Sequence, residues 1–234
     1  MDATVAQTLT TGWLAQVDPD LGRELLGAGR IRRFIDGAMI YGFQQEQMCL
    51  WGVVSGVVRI LVTMNEQDPK LVHCAGPGFW FGEVSVITGQ TRAVQAEASG
   101  EVTLCAIDRG VVTRIAQRDP EVWRAVAMLS TMNQLMAIGA GEDLMIRDSR
   151  KRLVAVLLRF AGHRNAFQGA APIPTVAVTQ LELAEASCLS RSSATAILRD
   201  LAQRGMISTD YRTIKILDSM ALTRIIHDDV VRVA

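Results

Sequence analysis

Between Thr179 and Leu217 the chain runs through a cap, a short helix, a tight connector, a second capped helix and a hairpin. Few folds accept that order. Thr179 and Glu182 have capping-box spacing, with Thr as N-cap and Glu reaching back from the third helical position. Leu183, Ala184 and Ala186 give the first helix an apolar side, and Ser187-Cys188-Leu189 is the connector. Ser190 caps a second helix to about Gln203, closed by Gly205. Ala194, Ile197, Leu198 and Leu201 form its buried stripe at helical spacing. Arg191, Ser192, Thr195 and Arg199 fall on the opposite face. Residues 206–209 and 213–217 alternate like two strands around Asp210-Tyr211-Arg212. The pattern predicts a winged helix-turn-helix whose second helix enters the DNA major groove. Arg binds two guanine acceptors at once, and Ser and Thr bond bases or phosphates. The expected DNA-binding residues are Thr179, Gln180, Ser190, Arg191, Ser192, Ser193, Thr195 and Arg199, with Arg212 and Lys215 meeting phosphates from the wing. The competing interpretation is a three-helix structural module with a solvated polar face.

Charge is distributed to suit DNA at one end. The net charge is zero, yet residues 1–147 hold 12 Lys/Arg and 16 Asp/Glu, net −4, and residues 148–234 hold 12 and 8, net +4. A basic C-terminal module on an acidic N-terminal one fits a nucleic-acid partner held at one end. Hydrophobic residues make up 49% of the chain, enough for a sizeable core. No apolar run reaches membrane-spanning length and no signal-peptide pattern opens the chain, so no membrane partner is expected and the cytoplasm is the expected location. Cys49, Cys74, Cys105 and Cys188 are scattered without a C-x-x-C pair and are expected to be buried free thiols.

Residues 13–26 have the spacing of a short amphipathic helix. From Arg30 to about Asp108, short apolar runs broken by Gly, Pro and Asn take over. Residues 51–62 are expected to be two strands around Ser55-Gly56, and residues 70–74 a strand ended by Gly76-Pro77-Gly78. Residues 94–98 and 101–107 are expected as two more around Ser99-Gly100. Such spacing suggests a sandwich or barrel. Helical spacing returns from Pro120 to about Arg147, with apolar residues all round. Leu129, Met132, Met136 and Gly139 keep a coiled-coil step, although Gly139 and Gly141 each cost about 1 kcal/mol of helix propensity. One small barrel cannot cover that many apolar residues, so a symmetry mate of the same helix is expected to cover the rest. Arg147-Asp148-Ser149 is expected to be a hinge, with Ser149 capping the next helix, and residues 162–174 a loop.

A barrel, a long helix and a winged helix, in that order, resemble the cyclic-AMP receptor protein/fumarate-nitrate regulator (CRP/FNR) family of bacterial transcription factors over about residues 25–218. Phe81-Gly82-Glu83-Val84-Ser85-Val86-Ile87-Thr88-Gly89-Gln90-Thr91-Arg92-Ala93 is similar to the family's phosphate-binding cassette. The helix-turn-helix likeness is carried by Leu189-Ser190-Arg191-Ser192-Ser193 and Ile197-Leu198-Arg199-Asp200-Leu201. The resemblance implies an α+β chain: a jelly-roll-like β-roll of the cyclic-nucleotide-binding fold over residues 1–119, a dimerisation helix and hinge over 120–147, and the DNA-binding domain over 148–234.

It also implies an effector site. Gly82 permits close backbone approach, Glu83 matches an acceptor for a ribose hydroxyl, and Arg92 matches the partner of the cyclic phosphate. Val84, Ala93, Ala137 and Ile138 complete the candidate set. Two departures stand out. Ala93 replaces the usual Ser or Thr, and Ala137 and Ile138 stand where cyclic-AMP members place Thr and Ser against adenine. Either the site takes a cyclic nucleotide or other small effector, or Glu83 and Arg92 form a structural ion pair in a cassette that binds none. Adjacent His73 and Cys74 face opposite ways on a strand and offer no haem or metal site. No catalytic residue, metal or resident cofactor is expected. The expected partners are double-stranded DNA with a two-fold symmetric operator, a second copy of the chain, and RNA polymerase at the 162–174 loop. The rivals are a cyclic-nucleotide-binding regulatory module without direct control of DNA, and a cupin-type enzyme.

Overall fold

The computed structural model describes residues 3–46, 48–63, 68–164, 170 and 172–227. The chain divides into two compact units, one of residues 1–69, 75–135 and 167–171, the other of residues 70–74, 136–166 and 172–234.

The first unit opens with α1 (Ala3–Leu9), a 3-10 turn (Trp13–Gln16) and α2 (Pro19–Ala28). The sequence pattern suggested one helix over residues 13–26. The chain breaks at Val17-Asp18 instead, because Asp18 turns back to accept from the backbone N–H groups of Asp20 and Leu21 and Pro19 fixes the first helical φ. Then come β1 (Arg30–Phe34), β2 (Met39–Tyr41) and β3 (Cys49–Val62). After β4 (Lys70–Ala75) follow β5 (Trp80–Phe81), α3 (Glu83–Thr88), β6 (Gln95–Asp108), α4 (Arg109–Ala116) and α5 (Glu121–Met145).

Strands β3 and β6 form the long antiparallel spine, from Cys49 opposite Asp108 to Leu61 opposite Gln95. β1 and β2 pair with β6, and β5 pairs with β3. Both spine strands were expected as two shorter strands around a glycine turn, and both are single and continuous. Gly56 has φ +82°, and the register shifts on either side of Ser55, so the glycine bends one strand. A Cβ there would lie 2.4 Å from the Glu101 carbonyl oxygen. The core gathers Leu9, Trp13, Leu25, Leu50, Trp80, Ile107, Val122, Val126 and Leu129. Trp13 meets the Trp80 ring edge-on at 5.4 Å, and their indole N–H groups donate to Ala125 O and Leu9 O. Each such side chain contributes about 1.5–3 kcal/mol by leaving water. Leu129 and Met132 belong to this core at 0% and 8% exposure, so they do not lie on the coiled-coil seam expected of them.

The second unit begins inside α5, at Met136, and includes residues 70–74 of β4. It continues with α6 (Ser149–Phe160), β7 (Thr175–Val176), α7 (Gln180–Ala186), α8 (Arg191–Gln203), β8 (Ile207–Asp210), β9 (Thr213–Ile216) and α9 (Ser219–His227). Asp148, one residue ahead of the expected Ser149, caps α6 by accepting from the Lys151 N–H. Residues 153–160 of α6 are all buried, and α6 packs against α7 and α9. The wing sheet has the order β7-β9-β8, with Asp210 opposite Thr213, so the turn is Tyr211-Arg212 alone. Of the loop expected at 162–174, residues 165–169 and 171 lie outside the described residues.

Candidate nucleic-acid interface

The helix-turn-helix forms as its local signals demand. The Thr179 hydroxyl accepts from the Glu182 N–H at 3.1 Å, and the Glu182 carboxylate accepts from the Thr179 N–H at 2.8 Å, a complete capping box. The connector turns at Cys188, whose φ of 52° is left-handed, and Ser187 is wholly buried. Cys188 itself is exposed, unlike the other three thiols and contrary to the expectation for it. Ser190 caps α8, its hydroxyl accepting from the Ser193 N–H and meeting the Ser192 and Ser193 hydroxyls. Ala194, Leu198 and Leu201 bury one face. The opposite face carries Arg191, Ser192, Thr195, Ala196 and Arg199 along one open groove. Thr195 bonds Gln180 across to α7. Arg199 is exposed, and so are Arg212 at the wing tip and Lys215 on β9. All ten residues expected to meet DNA therefore lie in one unit, on α7, α8 and the wing. Arg150 and Arg204 hold the Asp200 carboxylate and keep it below the usual carboxylate range, which ties α8 to α6.

In the first unit the cassette is a separate site. Gly82, with φ +91°, precedes α3, and a Cβ there would lie 2.5 Å from the Cys49 carbonyl oxygen. Arg92 is 4% exposed. Its guanidinium donates to Gly82 O and Cys49 O, each at 2.9 Å, and lies 4.2 Å over the Tyr41 ring. Glu83 is 5% exposed, and burial pushes its carboxyl above the usual range against the opposing pull of its own N–H, Asn133 and Arg92. Val84 and Ala93 are exposed. Ala137 and Ile138 stand exposed on α5, in the second unit. Sequence reasoning missed Tyr41, Cys49 and Asn133, because a stacking ring, a backbone acceptor and one helix-borne amide leave no local pattern. Among the described residues no group of His, Cys, Asp and Glu could hold a metal ion, and no helix is long and apolar enough to cross a membrane.

Comparison with known proteins agrees with both halves. A cyclic nucleotide-binding domain model matches residues 31–119, and a Crp-like helix-turn-helix domain model matches residues 151–225. The CRP-like cAMP-activated global transcriptional regulator of Mycobacterium tuberculosis is 27% identical over 175 residues, 75% of this chain and 78% of that protein. Transcriptional regulator LdrP of Thermus thermophilus is 28% identical over 195 residues, 83% of this chain and 95% of that one. A crystal structure of a CRP-family regulator, also from Thermus thermophilus, matches with TM-score 0.64 and 25% identity, over 84% of this chain and 96% of that one. Fold and interface together define a DNA-binding transcription regulator with an N-terminal domain of the cyclic-nucleotide-binding type. The chain belongs to the CRP/FNR family, and its relatives are transcription regulators rather than enzymes.

Proposed function

We propose that this protein is a homodimeric, sequence-specific regulator that reads a two-fold symmetric operator and does not depend on cyclic AMP. The observation that carries the DNA half is the α8 groove of Arg191, Ser192, Thr195, Ala196 and Arg199, exposed and flanked by the basic wing. Arg191 opens the helix, where a guanidinium reaches guanine O6 and N7. Ser192 and Ala196 occupy places where the cyclic-AMP receptor often has Glu and Arg, so a cytosine acceptor and a second guanine reader are missing. The operator therefore keeps paired half-sites about one DNA turn apart but departs from the cyclic-AMP receptor consensus. RNA polymerase is the partner such a regulator would engage once bound.

Selection from random duplexes, followed by mobility shift, tests this reading. Arg191→Ala is expected to cost about 1–3 kcal/mol and to relax preference at one base pair in each half-site. Replacing Arg212 or Lys215 should weaken all sequences alike and flatten the salt dependence. If Arg191→Ala left specificity untouched, the assignment of the reading face would fall.

The effector half rests on Arg92. A cyclic phosphate must compete for the two terminal nitrogens of this guanidinium with backbone carbonyls and for its face with the Tyr41 ring, only Nε lacking a partner among the described residues, and hydrogen bonds to a charged group are worth about 1.5–3 kcal/mol each. Ala93 offers no hydroxyl in return. DNA binding is thus expected to be nearly the same with and without cyclic AMP. Calorimetry giving a submicromolar Kd for cyclic AMP, with DNA affinity rising in step, would overturn this.

A further inference from the structure

The middle of the α8 groove has a hydrogen-bonding polarity, and that polarity is set from α7. A threonine hydroxyl carries one proton and two acceptor lone pairs. On α5 the Thr131 hydroxyl donates to Ala127 O, one turn back in its own helix. Thr195 instead reaches across to the neighbouring helix, where its Oγ1 donates to Gln180 Oε1 at 3.3 Å. With that proton engaged, Oγ1 has only lone pairs left for the groove that Thr195 lines with Arg191, Ser192, Ala196 and Arg199. Gln180 is the first residue of α7 and lies inside the capping box of Thr179 and Glu182. The backbone that carries it is therefore fixed by two reciprocal hydrogen bonds.

The serines at the start of α8 lean the same way. Ser190 Oγ accepts from the Ser193 N–H at 3.2 Å, and it lies 3.0 Å from Ser192 Oγ and 2.8 Å from Ser193 Oγ. Ser190 has a single proton, so it donates to only one of those hydroxyls and the other must donate to it. At least one of Ser192 and Ser193 thus also has its proton turned inward. The face runs from a guanidinium at Arg191, through oxygen acceptors, to a guanidinium at Arg199.

In the major groove, adenine and cytosine present exocyclic amino donors, whereas guanine and thymine present the acceptors O6 and O4. An oxygen with no proton to give bonds the first two bases and repels the others. Thr195 stands four residues after Arg191. That is about 6 Å along the helix, or about two base-pair steps. We propose that Gln180 is a positioning residue that makes Thr195 an acceptor, and that Thr195 thereby selects adenine or cytosine on one strand, about two steps from the guanine read by Arg191. The proposal rests on the DNA-binding reading above. It adds a rule that Arg191 cannot supply, because a guanidinium only donates.

Selection from random duplexes with the full-length protein, then mobility shift on duplexes that differ only at that position, tests the rule. Wild type is expected to favour adenine and cytosine there over guanine and thymine by about fivefold or more, an ordinary mismatch penalty. Thr195→Val keeps the shape, removes the hydroxyl and should erase the preference. Gln180→Leu should erase it too, by freeing the proton to donate. Gln180→Glu keeps an acceptor oxygen, so it should retain the preference while its negative charge weakens all duplexes alike. The double variant Gln180→Leu/Thr195→Val should lose no more than either single one. A wild type that selects guanine or thymine at this position would overturn the proposal. So would a Gln180→Leu protein with wild-type preference, or a Gln180→Glu protein without it. The guanine preference that Arg191→Ala relaxes should persist in every Gln180 and Thr195 variant. If it persists while the wild type shows no preference at the second position, the Thr195 rule alone falls. If the wild type shows no such guanine, or binds no selected duplex, the reading face falls and the rule with it.

Discussion

Glu83 and Arg92 sit nine residues apart in the sequence and meet very different fates. Arg92 is held through its two terminal nitrogens by carbonyls of the protein itself while its buried Nε has no partner among the described residues, whereas Glu83 is a buried carboxylate that folding pushes toward its protonated form. A carboxyl whose pKa is raised on folding binds more protons in the native state than in the unfolded one. Its destabilising contribution is absent below the ordinary Glu range and grows as pH climbs through the raised native value. Glu83→Gln keeps the shape and removes the charge. It is therefore expected to raise Tm at pH 7, with the gain fading as pH falls below the ordinary Glu range. A Glu83→Gln protein that melts below wild type at pH 7 would show that the charged carboxylate stabilises the cassette. The motif residues were legible at this scale, but their partners were not. Cys49 O is 43 residues from Arg92, and the antiparallel pairing of β3 with β5, Trp51 opposite Phe81, brings that part of the chain to the cassette.

Among the elements, the helix-turn-helix follows the sequence closely because its signals act within three or four residues. The capping box is a case in point: two hydrogen bonds between Thr179 and Glu182 satisfy groups that the seven-residue α7 would otherwise leave open. Thr179→Ala is expected to cost about 1 kcal/mol in urea denaturation and to leave the base preferences of α8 unchanged. No loss of stability would mean that the tertiary contacts of Leu183 and Ala184 hold α7 without its cap. The sheet was harder to read for a physical reason. A glycine at positive φ ends a strand at a hairpin turn, yet merely bends it at a bulge, and the sequence around Gly56 or Gly100 is compatible with both. Which one forms is decided by the partner strand. The long helix misled in another way. Leu129 and Met132 have the spacing of a dimer seam but are consumed by the first unit's own core.

For the whole molecule, the proposed dimer would have its seam further along α5 than Leu129 and Met132. Once Leu129 and Met132 are accounted for, the large apolar residues left exposed on this helix are Leu135 at 41%, Ile138 at 61%, Leu144 at 44% and Met145 at 81%. Leu135, Ile138 and Met145 are separated by three and then seven residues, the spacing of alternating coiled-coil core positions. A matching helix from a second copy would cover all three along one line, and a two-fold axis along that line would give each half of a symmetric operator its own recognition helix. Ile138→Glu sets a carboxylate at the centre of this seam, facing its own copy, without touching either unit's core. It is expected to give a folded monomer with wild-type far-UV circular dichroism and strongly weakened binding to a two-half-site duplex. Leu129→Glu should instead unfold the first unit, because it buries an unpaired charge in the core. Sedimentation at micromolar concentration checks both. A monomeric wild type, or an Ile138→Glu protein that remains dimeric, would remove α5 from the interface.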